Sequence, residues 1–261
     1  MPVAGDTALI WPPCQHAVTP LLLIYRDHQG VKKMAFFGAG MLVTFTEVAA
    51  SLEDEFNEWY NREHIDERVN MPGFHRARRY IAADSATLVK YFATYETDTA
   101  EDLSAPAYME LLADQSDWSK KIMSQFSHFD RLTCRISIDQ THGVTGAAGL
   151  VRLFPPEAEM DRLREWLRET ALPAMCQRQD VMGAALLEND LAVSNVGWLA
   201  AGNEIPADQK TEWLILIDAT LPAAARGAAE TVLGGDALTA FGMTASALDI
   251  SSYALLFGNQ R

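Results

Sequence analysis

Two helix-forming segments of the chain align without a gap, which constrains the fold more than any other feature. The segment FNEWY at residues 56–60 matches LREWL at residues 163–167. In both copies the tryptophan is followed fifteen residues later by a segment with strand character, which starts at Phe74 in one and at Val181 in the other. An internal repeat of this kind predicts that the chain folds as two related units.

The spacing of apolar residues predicts the same order of elements in both units. In the first, we predict strands at 41–47, 74–82, 89–97 and 132–138, and helices at 53–68 and 105–129. In the second, we predict strands at 150–154, 181–188, 213–220 and 250–257, and helices at 160–176 and 222–233. The order is βαββαβ in each case, which is the ferredoxin-like arrangement.

A ferredoxin-like sheet carries helices on one face only, so its other face needs a partner. The fold class is therefore α+β: two tandem ferredoxin-like units, 34–140 and 141–261, form an internal pseudo-dimeric α/β barrel with antiparallel sheets. We expect its eight strands to enclose a cavity, with the connection 189–211 as a candidate lid. Residues 1–33 are rich in proline and lack a sustained period, which predicts a loose N-terminal extension or a misassigned start; an arm packed on the body is the alternative.

Composition excludes several classes of function. The net charge of −14 makes the chain a poor partner for nucleic acid. The three cysteines lie far apart and form no CxxC motif, so we expect no disulfide framework and a location in the reducing cytoplasm. The longest early apolar stretch, 21–25, is far shorter than the roughly 20 residues that span a bilayer. We expect a cytoplasmic protein with a small-molecule ligand. The sequence does not distinguish a monomer from a homodimer.

The two copies of the first helix differ in polar residues, and this difference indicates where a site lies. The first carries Tyr60, Glu63 and His64 where the second carries Leu167, Thr170 and Ala171. Because the pKa of histidine is near 6.5, His64 suits proton transfer, and its spacing places it on the face toward the sheet. We predict His64 and Tyr60 as catalytic residues, with Glu63 as a secondary candidate. The alternative for His64 is a core histidine bonded to backbone.

The strand that follows is charged in the first unit, with FHRARRY at 74–80 against VMGAALL at 181–187. Alternation places two sets on opposite faces: Phe74, Arg76, Arg78 and Tyr80, and His75, Ala77, Arg79 and Ile81. One face lines the cavity and the other meets the helices, and alternation does not say which. Arginines on a cavity wall bind carboxylates or phenolates well. We predict that the substrate is bound by Arg76, Arg78, Tyr80 and Arg135, with His75 and Arg79 as secondary candidates.

Two further interpretations concern charges and metals. The alternative for the arginines of 74–80 is that their charges keep an edge strand from pairing with another chain. Glu96 and Asp218 occupy equivalent places in the two units, which favours a structural role for both. No local ligand spacing joins His64 to His75 or His128, so we predict no metal and no cofactor.

The motifs WYNREH at 59–64, MPG at 71–73 and RY at 79–80 resemble the EthD type of the dimeric α/β-barrel superfamily. The second unit shares only the topology and Trp166, since it lacks the histidine and the Pro-Gly pair. The superfamily includes polyketide cyclases, muconolactone-type isomerases, cofactor-free monooxygenases, heme-dependent enzymes and proteins of unknown role. The resemblance therefore implies the fold and leaves the reaction open.

These observations predict a cofactor-independent enzyme that acts on a small aromatic or polyketide-like acid by proton transfer, as an isomerase, cyclase or dehydratase does. His64 would move the proton, Arg76 and Arg78 would hold an anionic group, and Tyr60 or Tyr80 would donate a hydrogen bond to a developing oxyanion. One alternative is a non-catalytic small-molecule-binding or stress-related protein. Another is a heme-dependent enzyme or a cofactor-free monooxygenase.

Overall fold

A computed structural model describes residues 35–200, 204–205, 207, 209–244 and 248–261. The expectation for residues 1–33 lies outside these ranges, as does part of the segment 189–211. Within them, no helix is long and apolar enough to cross a membrane.

The described residues form eight strands, which are β1 (Gly40–Val48), β2 (Phe74–Ala82), β3 (Tyr91–Thr97), β4 (Phe126–Asp139), β5 (Ala147–Leu153), β6 (Val181–Asn189), β7 (Trp213–Ala219) and β8 (Asp249–Gln260). The α-helices are α1 (Glu53–Trp59), α2 (Ile65–Val69), α3 (Pro106–Ala113), α4 (Asp117–Met123), α5 (Met160–Trp166), α6 (Leu172–Cys176), α7 (Leu191–Ala200) and α8 (Pro222–Leu233). Two π-helical turns, Tyr60–His64 and Leu167–Ala171, join α1 to α2 and α5 to α6. Short 3-10 turns cover Ala50–Leu52, Ala100–Ser104, Glu157–Glu159 and Thr239–Phe241.

The strands close into an antiparallel barrel in the order β1-β3-β2-β8-β5-β7-β6-β4. The first four strands of the chain are contiguous in the order β4-β1-β3-β2, and the last four follow the order β8-β5-β7-β6. The two sets meet at β2–β8 and at β4–β6. The predicted α+β class and the closed antiparallel barrel are thus confirmed.

Several pairs of corresponding elements in the two halves of the chain start 107 residues apart. For example, β1 starts at residue 40 and β5 at residue 147. The same separation applies to the first residues of α1 and α5, of the two π-helical turns, of α2 and α6, and of β2 and β6. The gapless alignment of FNEWY with LREWL therefore extends to the secondary structure around it.

The helix predicted at 105–129 is too long. It is two shorter helices, α3 and α4, and β4 begins at Phe126. The reason is tertiary, because Phe126 and Phe129 pair with Val48 and Thr46 of β1 and so extend the ladder. The connection 189–211 also differs from a plain loop, since it contains α7.

The interior of the barrel is filled by side chains rather than open. Met41, Val43 and Phe45 of β1 pack there against buried residues of the other strands, Phe92 and Tyr253 among them. The residues that alternate with them on β1 face outward, toward the helices. The cavity that we expected inside the barrel therefore lies elsewhere, between the sheet and its helices.

Candidate active site

A cavity of about 560 Å³ lies on the outer face of the sheet, on the side of the first-half helices. Leu42 and Thr44 of β1 line it from the sheet, and His64 and Arg68 line it from the helix. Its aromatic lining consists of Trp59, Tyr60, Tyr95, Tyr108, Phe126, Phe129 and Trp198. Helix α7 contributes Leu191, Ser194, Asn195 and Gly197. The site is an apolar cavity with few polar groups, as small-molecule sites commonly are.

His64 closes the π-helical turn and lies in a cage of aromatic rings. Its ring centroid is 4.2 Å from that of Trp59, 4.9 Å from that of Tyr60 and 6.2 Å from that of Tyr95. Only 9% of the residue is exposed. Single π-helical turns inside α-helices occur often at functional sites.

Burial holds the pKa of His64 well below its ordinary value of 6.5, and the nearby charges of Arg68 and Arg79 lower that pKa further. The imidazole is therefore neutral at neutral pH. Its Nδ1 is buried and has no hydrogen-bond partner among the described residues. His64 lines the cavity, and a neutral imidazole at this position can exchange a proton with a ligand.

Because folding lowers the pKa of His64, we predict that the free energy of unfolding depends on pH. The unfolded chain takes up the His64 proton first as pH falls below about 6.5, so the contribution of the neutral ring is present above that pH and is lost below it. The loss amounts to about 1.4 kcal/mol per pH unit at most. We expect the free energy of unfolding of the wild type, relative to His64→Phe, to fall between pH 7.5 and 5 in urea titrations. A difference independent of pH would contradict this assignment.

Arg79 lies behind the site rather than in the cavity. Its guanidinium is 4.6 Å from the Tyr60 ring centroid and donates hydrogen bonds to Asn61 Oδ1 (2.9 Å) and Asn57 Oδ1 (2.5 Å). Burial lowers its pKa. Arg79 thus fixes the π-helical turn against β2, and its charge reaches His64 from behind.

Glu63 faces α4 instead of the cavity. Its Oε1 accepts hydrogen bonds from Ser116 Oγ (2.5 Å) and Ser119 Oγ (3.2 Å). The Trp59 indole also donates to Ser119 Oγ, at 3.0 Å. These bonds tie the helix that carries His64 to α4, so Glu63 positions the site without lining it.

Arg76, Arg78 and Tyr80 point into the barrel, which corrects the expectation that they line the cavity. Arg76 Nε donates to Glu96 Oε1 at 2.7 Å, and Arg78 Nη1 donates to Asp218 Oδ1 at 2.7 Å. Their charges are thus compensated inside the barrel. Phe74 does not share their face, because the register of β2 against β3 shifts between Phe74 and Arg76 and puts Phe74 with the helices.

Arg135 and His75 are surface residues. Arg135 pairs with Glu101 (2.6 Å) and Asp190 (2.6 Å), and all three lie outside the cavity. His75 Nε2 lies 2.6 Å from Asp98 Oδ1 at an exposed position. Of the predicted site residues, the structure therefore brings only His64 and Tyr60 together in the cavity.

Two arginines of the cavity lining, Arg68 and Arg131, are not among the site residues predicted from the sequence. Arg68 is 2% exposed and follows His64 by four residues, so helical spacing alone places both on one face. Arg131 lies four residues before the predicted site residue Arg135 on β4, so strand alternation alone places both on one face. In the part of the chain that the structure describes, no group of three or more His, Cys, Asp or Glu residues could hold a metal ion.

Comparison with known proteins adds three findings. The model of a family described as a domain of unknown function, DUF4286, matches residues 41–133, which include His64. Comparison with curated proteins finds no significant match. Several solved structures share the fold.

A proposed monooxygenase from Lactobacillus acidophilus NCFM is 8% identical at a TM-score of 0.55, with 85% of this chain and 96% of that chain covered. An anthrone oxidase-like protein is 10% identical at a TM-score of 0.55, with 85% and 92% covered. A dye-decolorizing peroxidase from Bacteroides thetaiotaomicron is 8% identical at a TM-score of 0.53, with 85% and 94% covered. The chain therefore shares its overall fold, an α+β protein with a closed antiparallel barrel, with these three proteins.

Proposed function

We propose that the protein is an enzyme in which His64 accepts a proton from a planar aromatic or polyketide-like compound. The observation that carries this proposal is the neutral, buried His64, whose Nδ1 has no hydrogen-bond partner among the described residues and whose ring lines an aromatic cavity of about 560 Å³. No metal or cofactor takes part in this step.

The lowered pKa of His64 narrows the substrate class. A weak base removes a proton efficiently only when the proton is itself acidic. Such protons are found on phenols and on carbon atoms activated by a carbonyl group and an aromatic ring. The anion that forms would lie beside the charge of Arg68, which lines the cavity next to His64.

The hydroxyl groups around His64 supply hydrogen bonds to that anion. Burial, and next the proximity of Tyr60, raises the pKa of Tyr95 well above its ordinary value of 10, so its hydroxyl stays protonated. Tyr95 lines the cavity beside Tyr60, so its protonated hydroxyl can donate to a ligand or to Tyr60. Tyr60, whose ring contacts that of His64, is the second candidate donor.

Cofactor-free oxidation is the second candidate function, and two of the structural neighbours favour it through their descriptions as a proposed monooxygenase and an anthrone oxidase-like protein. The first step is the same deprotonation. Dioxygen then oxidises the carbanion, so that a methylene group and O₂ give a carbonyl group and water. An isomerase, cyclase or dehydratase would use the deprotonation without O₂.

We also infer that residues 34–140 and 141–261 are tandem ferredoxin-like units of the EthD type that form an internal pseudo-dimer. The common separation of 107 residues and the two matching strand orders, β4-β1-β3-β2 and β8-β5-β7-β6, support this. The first unit then carries the site, and the second has lost the histidine. A cytoplasmic location is part of the same proposal.

Proton exchange tests the proposal without knowledge of the natural substrate. Anthrone has an activated methylene group, and its loss of ¹H signal in D₂O can be followed by NMR with and without the protein. We expect exchange well above the buffer rate at pH 7. Failure to accelerate exchange of anthrone and of a phenyl β-diketone would contradict the proposed role of His64 and leave the binding protein and the heme enzyme as alternatives.

Two further readings of the same samples separate the remaining alternatives. O₂ uptake equal to the anthrone consumed would identify an oxidase, whereas exchange without uptake would identify proton-transfer chemistry alone. A Soret band in the purified protein, or one formed and shifted by added hemin, would identify a heme enzyme.

A further inference from the structure

We propose that Arg131 and Thr44 form a binding subsite for the carboxylate or phenolate group of the ligand, across the cavity from His64. This inference rests on the cavity of the proposed function and names the substrate class more closely. The ligand that this subsite implies for the cavity is an anionic, planar compound of more than one ring.

Arg131 and Thr44 are directly opposite each other on neighbouring strands β4 and β1. Both line the cavity. Arg131 Nη2 and Thr44 Oγ1 are both buried, and neither has a hydrogen-bond partner among the described residues. Buried polar atoms in folded proteins nearly always have partners, so two adjacent unpartnered donors indicate a missing acceptor.

Of the two arginines that line the cavity, Arg131 is the one whose charge has no carboxylate partner among the described residues. Asp130 and Glu212 also line the cavity, but Arg152 holds them, with Nη2 at 2.6 Å and 3.0 Å from their carboxylate oxygens. Arg68 pairs with Glu67 at 2.7 Å. In the described part of the chain, no carboxylate lies within ion-pair distance of the Arg131 guanidinium. A bound carboxylate would therefore meet an uncompensated charge, and such charge-assisted bonds are the strong ones.

The position of Arg131 sets the length of the ligand. The His64 ring lies near Tyr95 of β3, whereas Arg131 lies on β4, with β1 between them. Two strand spacings amount to about 10 Å. Leu42 of β1 lines the cavity between these strands, and the Tyr108 ring centroid lies 5.9 Å from Arg131 Cζ. This apolar path suits a planar ligand that spans both ends.

Calorimetric titration with 2-naphthoate and with its neutral isostere 2-naphthamide tests the subsite. We expect the wild type to prefer the carboxylate by about tenfold or more, because only the carboxylate pairs with Arg131. Arg131→Gln should reduce this preference to about twofold while 2-naphthamide binding persists. Arg131→Lys should retain part of the preference, and Thr44→Val, which keeps the shape and removes the hydroxyl, should lower naphthoate affinity several-fold.

Arg162→Gln removes a charge from the exposed surface of α5 and is the matched control, with affinities expected to be unchanged. The proposal is overturned if the wild type does not discriminate between the two ligands, or if Arg131→Gln weakens both equally. These measurements need no turnover. If the protein prefers naphthoate through Arg131 but exchanges no protons, the subsite stands and the proposed enzymatic function falls. If it exchanges protons but does not prefer naphthoate, the enzymatic function stands and the subsite falls.

Discussion

His64→Gln is expected to lower the rate of anthrone proton exchange by about 10²- to 10⁴-fold, the usual contribution of a positioned general base. Glutamine retains a polar side chain and hydrogen-bonding capacity but cannot accept a proton. Because Arg68, Arg131 and the aromatic lining remain in place, affinity for 2-naphthoate should change little. NMR exchange rates at saturating anthrone and calorimetric titrations separate the two effects.

His128→Gln supplies the control, since His128 is an exposed histidine of β4 outside the cavity lining. It should exchange anthrone protons at the wild-type rate. A His64→Gln protein that folds, binds and still exchanges within about threefold of the wild type would remove His64 from the mechanism.

The pH profile provides a second measurement of the same residue. Since burial and the charges of Arg68 and Arg79 lower the pKa of His64, the base form persists below pH 6.5. We therefore expect kcat/KM for exchange to hold its plateau through pH 6.5 and to fall only at lower pH. A decline centred at or above 6.5 would indicate a base other than this buried imidazole.

Much of the fold was accessible from the sequence because its strongest signal is periodic. Alternation in β2 and β6 and helical spacing in α1 and α5 are local properties, and the structure has these elements within a few residues of the prediction. The start of β4 was not accessible in this way. Its first residues become strand through pairing with β1, which lies about eighty positions earlier in the chain.

The site was only partly accessible for a related reason. His64 and Tyr60 stood out because the aligned segment at 163–171 has Ala171 and Leu167 in their places. The arginines of β2 were misplaced because alternation sorts residues onto two faces without saying which face meets the ligand. The partner that neutralises Arg78 is Asp218, which lies 140 residues away and became visible only when the barrel closed.

Asp218→Asn is expected to lower the free energy of unfolding by about 3–5 kcal/mol, because it leaves the buried charge of Arg78 without its main partner. Both side chains are 2% exposed. The Arg78 Nε and Nη2 atoms already have no hydrogen-bond partner among the described residues, and the remaining carboxylate, that of Glu96, lies 3.8 Å from Nη2. Asparagine keeps the shape, so urea or guanidinium unfolding would measure the loss of charge.

A double-mutant cycle distinguishes this ion pair from a packing effect. Arg78→Met should cost a similar amount alone, whereas the double variant should cost less than the sum, since neither charge is then left unpaired. For comparison, Arg162→Gln breaks an exposed pair with Glu159 and should cost less than about 1 kcal/mol. Additive losses in the cycle, or an Asp218→Asn protein as stable as the wild type, would show that the pair does not hold the two halves of the barrel together. A double variant that costs less than the sum would show instead that Arg78 of β2 and Asp218 of β7 stabilise the closed barrel as a pair.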